Sequence, residues 1–241
     1  MACSGYHRPL MESLRGTLAA LVIGVATALV IVALAIIPFL NPVWVGFEQD
    51  RAEAQAWTGY STDQLRSVTN EILGDLVIGP AAFDVTLDGG PVLEARERQH
   101  MVDVTLVFQR FFLIAAGCAL LIAGSFAFSR SDRDRAVLWR RLSRSGLVIA
   151  IVTVVGGIGG VLAFDQAFAL FHELFFPPGS WTFDSGSEKL VQLVPEQFWV
   201  ETTIAVGVVV VALSLLLWWV GARRARAHEP AAALAPVAEA A

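Results

Sequence analysis

Four apolar runs, each close to the roughly 20 residues needed to cross hydrocarbon, dictate what this chain can become. They extend from Thr17 to Leu40, from Thr105 to Phe128, from Gly146 to about Phe168 and from Trp199 to Val220. Backbone that enters lipid must satisfy its own hydrogen bonds, so each run is expected to be a helix. The first run is too long for a signal-peptide core and ends without a small-residue cleavage site, so it reads as a retained span. Composition agrees: 56% of the residues are hydrophobic and 16% charged, against about 45–50% and about 25% in soluble domains. The expected fold class is an all-α membrane protein. Four transmembrane helices carry an extracellular cap, formed by the loop between the first two spans and the loop between the last two.

Orientation follows from the arginines. Arg130, Arg133, Arg135, Arg140, Arg141 and Arg144 link the second and third spans; Arg8 and Arg15 precede the first, and Arg223, Arg224 and Arg226 follow the fourth. Four crossings bring all of these to one side, which should be the cytoplasm. The expected layout therefore begins with a cytoplasmic N-terminus over 1–16 and a span over 17–40. The first cap part covers 41–104, the second span 105–128 and an Arg-rich cytoplasmic loop 129–145. The third span covers 146–168, the second cap part 169–198, the fourth span 199–220 and a cytoplasmic disordered tail 221–241. The expectation is a multi-pass protein of a bacterial cell membrane with both termini inside. Two cysteines are present; Cys3 and Cys118 fall at different depths, which argues against a disulfide.

The first cap part is long enough to fold. Ser61 with Gln64 fits a capping box, and Leu65, Val68, Ile72 and Leu76 recur at helical spacing. Gly79-Pro80 should stop that helix. Phe83, Val85 and Leu87 alternate before Asp88-Gly89-Gly90, which predicts an extended piece and a turn. The amphipathic helix needs a surface to lie on, either the second loop or lipid. A polar helical segment, Leu93 to Asp103, leads into the second span. In the second cap part Pro177-Pro178-Gly179 forces a turn. There Phe171, Phe175, Phe176, Trp181, Phe183, Phe198 and Trp199 crowd the membrane boundary, either as an interfacial belt or as a lipid-handling surface. Gly156, Gly157, Gly159 and Gly160 in the third span are expected to let helices approach closely.

Two histidines stand out. His100 enters the second span and His172 leaves the third, so topology alone sets both at the outer boundary. Imidazole can give or take a proton near neutrality. His100, Asp103, Val107 and Arg110 share one helix face, and Asp165 precedes His172 by two turns. Arg110 and Asp165 fall inside apolar runs, where an ionisable group usually faces a partner or a cavity. Arg110 could pair with Asp165 or with Glu201, and Asp103 could orient His100. Zinc would need a third or fourth ligand, which only Asp103, Glu173 or another carboxylate could supply, so no metal and no cofactor are expected. The apolar centres of the spans argue against transport, and no outward basic stripe suggests nucleic acid.

The residues around these histidines carry a resemblance. Arg98-Gln99-His100-Met101-Val102-Asp103-Val104 resembles the HM-x-DV element at the start of the second span in the bacterial lipoprotein intramolecular transacylase family. Phe171-His172-Glu173-Leu174-Phe175-Phe176, then Trp181-Thr182-Phe183, then Pro195 with Phe198-Trp199 is similar to its second element: FH-x-x-FF, W-x-F and a closing P-x-x-F followed by F or W. The resemblance implies four transmembrane helices under an extracellular cap and an acyltransferase. Its substrate would be a diacylglyceryl lipoprotein in a membrane of lipids, whose sn-2 acyl chain moves to the N-terminal cysteine amine. It also implies that His100 and His172 are the catalytic pair; Asp103, Arg110, Asp165 and Glu173 are the candidates to support them, and the aromatics the candidates to bind substrate. The alternative is a non-catalytic membrane protein whose aromatic cap binds a lipid or protein partner.

Overall fold

The structure, a computed structural model, describes residues 7–228, with side chains described from residue 14 onward. Cys3 and residues 229–241 of the expected tail lie outside it, as do the side chains of His7 and Arg8. Four of its helices are long and apolar enough to cross a membrane, so the protein is an all-α integral membrane protein. They are α1 (His7–Ile36), which a 3-10 turn continues to Phe39, α5 (Ala95–Ala127), α6 (Asp132–Leu162) and α9 (Glu196–Ala227). Between the first two lie α2 (Pro42–Arg51), α3 (Ala54–Thr58), α4 (Thr62–Val77) and a hairpin of β1 (Thr86–Leu87) and β2 (Gly90–Pro91). Between the last two lie α7 (Phe164–Phe175) and α8 (Lys189–Leu193).

Several boundaries differ from the expected ones. The third apolar run does not stay one helix to Phe168. Helix α6 stops at Leu162, Ala163 leaves the helical region at φ −129° and ψ 50°, and α7 starts afresh. Apolarity records solvent preference rather than backbone continuity, and the glycines before Ala163 weaken the helix there. The expected disordered tail is helical in its first residues, because α9 continues to Ala227. The glycines of the third span also behave otherwise than expected. A Cβ at Gly156, Gly157, Gly159 or Gly160 would meet nothing within 4 Å.

The chain divides into two compact units. One comprises 1–33, 114–153 and 210–241. Here close helix contact is made at other glycines: a Cβ on Gly146 would lie 2.5 Å from the Ser214 carbonyl oxygen, and one on Gly221 3.0 Å from that of Trp139. Ser143 Oγ donates to the Trp218 carbonyl at 2.9 Å, closing the α6–α9 contact with a hydrogen bond. Small residues permit such backbone approach in lipid, where dispersion rather than water expulsion drives association.

The other unit comprises 34–113 and 154–209. Helix α4 begins as the sequence predicts, with Ser61 and Gln64 exchanging side-chain and backbone hydrogen bonds. Its apolar stripe finds protein to lie on. Leu65 and Val68 pack with Phe83, Val85, Leu93 and Met101 from the first loop and with Leu190 and Leu193 from the second. Phe83 and Val85 are buried while Asp84 and Thr86 are exposed, but Phe83 is left-handed at φ 52° and the strand itself covers only Thr86–Leu87. Asp88 (φ 52°) and Gly89 (φ 83°) turn the hairpin with both central residues left-handed. Gln49, buried, accepts from Thr69 Oγ1 at 3.0 Å and donates to the Leu193 carbonyl at 3.0 Å, tying α2 to α4 and α8. Arg51 forks onto both Glu201 oxygens and Trp44 Nε1 donates to Thr202 Oγ1, fixing α2 to α9.

These contacts set expectations for stability. Gly146→Ala forces backbone apart and should cost about 1–3 kcal/mol, whereas Gly156→Ala, in open space, should leave the melting temperature in detergent unchanged or raised. Burial pushes the Glu48 carboxyl above its ordinary 4.5, reinforced by Glu201 and opposed by Arg51. The folded state then holds that proton more tightly than the unfolded state, so the stabilisation is complete below pH 4.5 and is lost as pH rises through the folded value. Glu48→Gln, neutral throughout, should remove that loss in denaturation midpoints recorded across a pH series.

Candidate active site

Each histidine is placed by its own helix and then enclosed by the second loop. On α5, Glu97 sits one turn before His100. Fully buried, it accepts from the Glu94 amide at 2.7 Å and from the Leu190 amide at 2.5 Å. One carboxylate therefore caps the start of α5 and anchors α8 to it. His172 lies near the end of α7, where its Nδ1 and the Phe168 carbonyl are 2.7 Å apart. A carbonyl only accepts, so Nδ1 carries the hydrogen and Nε2 keeps its lone pair. Burial holds the His172 pKa below its ordinary 6.5, and the Phe168 contact opposes that only in part.

The two rings come together. Their centroids lie 6.0 Å apart with planes 26° from parallel, and both residues are more than nine-tenths buried. Phe176 touches both, at 4.8 Å from His100 and 5.4 Å from His172. Phe183 stands edge-on to His100 at 5.4 Å. Trp181 covers His172 at 5.0 Å, with Phe168 at 4.0 Å and Phe171 at 5.4 Å on its other sides. Two buried atoms at this cluster, His100 Nδ1 and Trp181 Nε1, have no hydrogen-bond partner among the described residues. Leaving such an atom unpaired costs about 1–3 kcal/mol.

An ion-pair device holds the second loop in place. The Arg96 guanidinium bonds both oxygens of Glu188 at 2.6 and 2.8 Å, donates to the Thr182 carbonyl at 2.9 Å and lies 4.9 Å over the Phe183 ring. Glu188 in turn accepts from the Asp184 amide at 2.6 Å. Arg96 and Glu188 are far apart in sequence, so no local pattern announces the pair. Glu97 was more legible, because an acid three residues past the helix cap reaches back to the cap amide.

Other expected site residues are not gathered in. Asp103 accepts from Gln99 at 3.2 Å rather than orienting His100. Arg110, Asp165 and Glu173 are exposed, and Glu201 is held by Arg51, so the foreseen Arg110 pairing does not form. Phe198 packs with Val45 and Ala52 in a separate core. Phe175 packs at a tilt against Phe171 at 4.9 Å and Trp199 approaches Phe168 at 6.3 Å, both at the exposed margin. Among the described residues, no three or more His, Cys, Asp or Glu side chains group as a metal site would require.

Comparison with known proteins gives this geometry its context. A curated relative, an uncharacterized protein of Aquifex aeolicus (strain VF5), is 29% identical over 127 residues, 52% of this chain and 55% of that protein. The chain thus spans about half the length of the curated relative it matches. The in meso structure of the membrane integral lipoprotein intramolecular transacylase Lit from Bacillus cereus is similar at a TM-score of 0.68 and 19% identity, over 89% of this chain and 98% of that one. A variant of the same protein with a histidine-to-arginine mutation gives 0.62 at 18% identity, over 93% and 98%. At these identities the likeness establishes a shared fold. The family described as lipoprotein intramolecular transacylase Lit matches residues 21–199, most of the chain. This chain belongs to that family.

Proposed function

We propose that this protein is an integral membrane acyltransferase that moves an acyl chain within a bacterial lipoprotein, from the glyceryl sn-2 ester to the N-terminal cysteine amine. Membership of the transacylase family supports the reaction class. The single observation that carries the site assignment is the stacked pair His100 and His172, buried together in an aromatic enclosure. The arginine distribution supports a cytoplasmic location for both termini, with the loop-built region and the histidines at the outer face of the cell membrane.

The chemistry asks for what this pair offers. A cysteine α-amine has a pKa near about 8, so much of it must lose a proton before attack. The amine nitrogen then adds to the ester carbonyl carbon, the carbon–oxygen bond to the glyceryl sn-2 position breaks, and that oxygen takes up a proton. The amine is itself the nucleophile, so no serine or cysteine of the protein is needed. His172, with Nδ1–H committed to Phe168 and Nε2 open, suits removal of the amine proton. His100 suits delivery of a proton to the departing oxygen. The rings of Phe176, Trp181 and Phe183 would exclude water and hold amine and ester together, a contribution of up to about 7–11 kcal/mol.

Mass spectrometry of lipoprotein N-terminal peptides, in cells with and without the gene, tests this reading. The N-acyl lyso-form should appear only with the gene, and His100→Ala or His172→Ala should each slow its formation by about 10²–10⁴-fold. Identical peptides in every strain would contradict the assignment. The pH–rate profile adds a second expectation. The proposed base acts unprotonated, and burial lowers the His172 pKa from 6.5, so the acid limb should fall below pH 6.5. The substrate amine titrates near about 8 and adds its own limb, so the decisive comparison is with His172→Ala. An inflection below 6.5 present in the wild type should be absent in the variant, and its persistence there would contradict a desolvated His172 as base.

A further inference from the structure

Attack on an ester pushes a pair of electrons onto the carbonyl oxygen. The oxyanion so formed needs a hydrogen-bond donor already in place, because a donor that must reorganise during the reaction loses most of its advantage. Neither histidine is free to be that donor, since one takes the amine proton and the other supplies the leaving oxygen.

Four buried side-chain atoms lack a hydrogen-bond partner among the described residues: Glu48 Oε2, His100 Nδ1, Trp181 Nε1 and Ser214 Oγ. Glu48 and Ser214 make none of the ring contacts that build the histidine cluster. Of the two atoms that belong to it, His100 Nδ1 is donor or acceptor by tautomer. The Trp181 indole nitrogen can only donate. Its ring lies 5.0 Å from that of His172, within one small reacting group's reach of the proposed base. An indole N–H left without a partner on a ring packed against His172 is an expensive arrangement for stability alone.

Trp181 is also held in advance. The next residue, Thr182, gives its carbonyl to Arg96 at 2.9 Å, and Arg96 is fixed by both oxygens of Glu188 and stacks on Phe183. The backbone on one side of the indole is thus clamped to the start of α5, the same helix that carries His100.

We infer that Trp181 Nε1–H is the oxyanion donor of this site and that Arg96, through Thr182 and Glu188, is its positioning residue. The inference rests on the acyl-transfer function proposed above. In the step it serves, the amine nitrogen bonds to the ester carbon and the carbonyl π pair moves to oxygen, where the indole N–H meets it. The pair then returns as the bond to the sn-2 oxygen breaks.

The test uses the full-length protein in detergent or lipid with a diacylglyceryl lipopeptide, kcat and KM being read by mass spectrometry. Trp181→Phe keeps a ring and removes the donor. It should lower kcat by about 10²–10³-fold, with KM within a few-fold of wild type and an unchanged melting temperature. Arg96→Ala should lower kcat in the same direction, and Arg96→Lys should recover little, since an ammonium cannot fork onto Glu188 while reaching a carbonyl. Combined with Trp181→Phe, Arg96→Ala should cost little more than Trp181→Phe alone, because the two act as one unit. Full kcat in Trp181→Phe, or a change confined to KM, would overturn the assignment while leaving the proposed function standing. A wild-type protein that transfers no acyl chain would overturn both. Were Arg96→Ala to unfold, Trp181→Phe alone would still decide.

Discussion

Everything at the proposed site depends on bringing two imidazoles from different helices into contact and keeping water away from them. A buried ring that can be charged is costly unless its surroundings are organised. Here the surroundings are aromatic neighbours rather than counter-ions: Phe176 lies against both histidines, Phe183 against one and Trp181 against the other. On His100's own helix, Asp103 is turned to Gln99 and Glu97 is engaged by the amides of Glu94 and Leu190. Desolvation, rather than a carboxylate partner, therefore sets the character of the cluster, and for His172 it favours the neutral form.

The rest of the loop-built region secures that enclosure. Most of the rings that close it come from the segment around 168–183, which has little regular structure after α7 ends at Phe175. The segment is secured by a small number of strong polar ties: Arg96 to Glu188 and Thr182, and Glu97 to the amide of Leu190. Behind them, α8 buries Leu190 and Leu193 against α4 and the first loop. Breaking any of these ties would expose backbone polar groups and loosen the aromatic wall together, so stability and site geometry share the same residues.

How much of this the sequence carried depended on the range of each signal. The four long helices followed from hydropathy, and the α4 capping box and the hairpin turn at Asp88-Gly89 from local chemistry that needs no tertiary partner. The two histidines were found because topology sets them at one depth, and their contact was then a matter of a few ångströms. What stayed hidden was long-range or continuous in composition. Arg96 and Glu188 meet across most of the loop-built region, and Phe198 looked like its aromatic neighbours until packing assigned it to Val45 and Ala52. The break at Ala163 sits inside an unbroken apolar run. The glycines of the third span were read by composition as a contact surface, while Gly146 makes the close approach, just past the arginine-rich stretch that was expected as a loop and is helical from Asp132.

The central claim is that acyl transfer runs within one lipoprotein molecule at His100 and His172, and isotope crossover tests it most directly. Purified protein would be given two diacylglyceryl lipopeptides of different sequence, only one of them carrying a labelled sn-2 chain. The account predicts that the label reaches the amine of its own peptide, never that of the other, and stays on the glycerol when either histidine is alanine. Label appearing on the second peptide, or transfer persisting undiminished without the histidines, would contradict it.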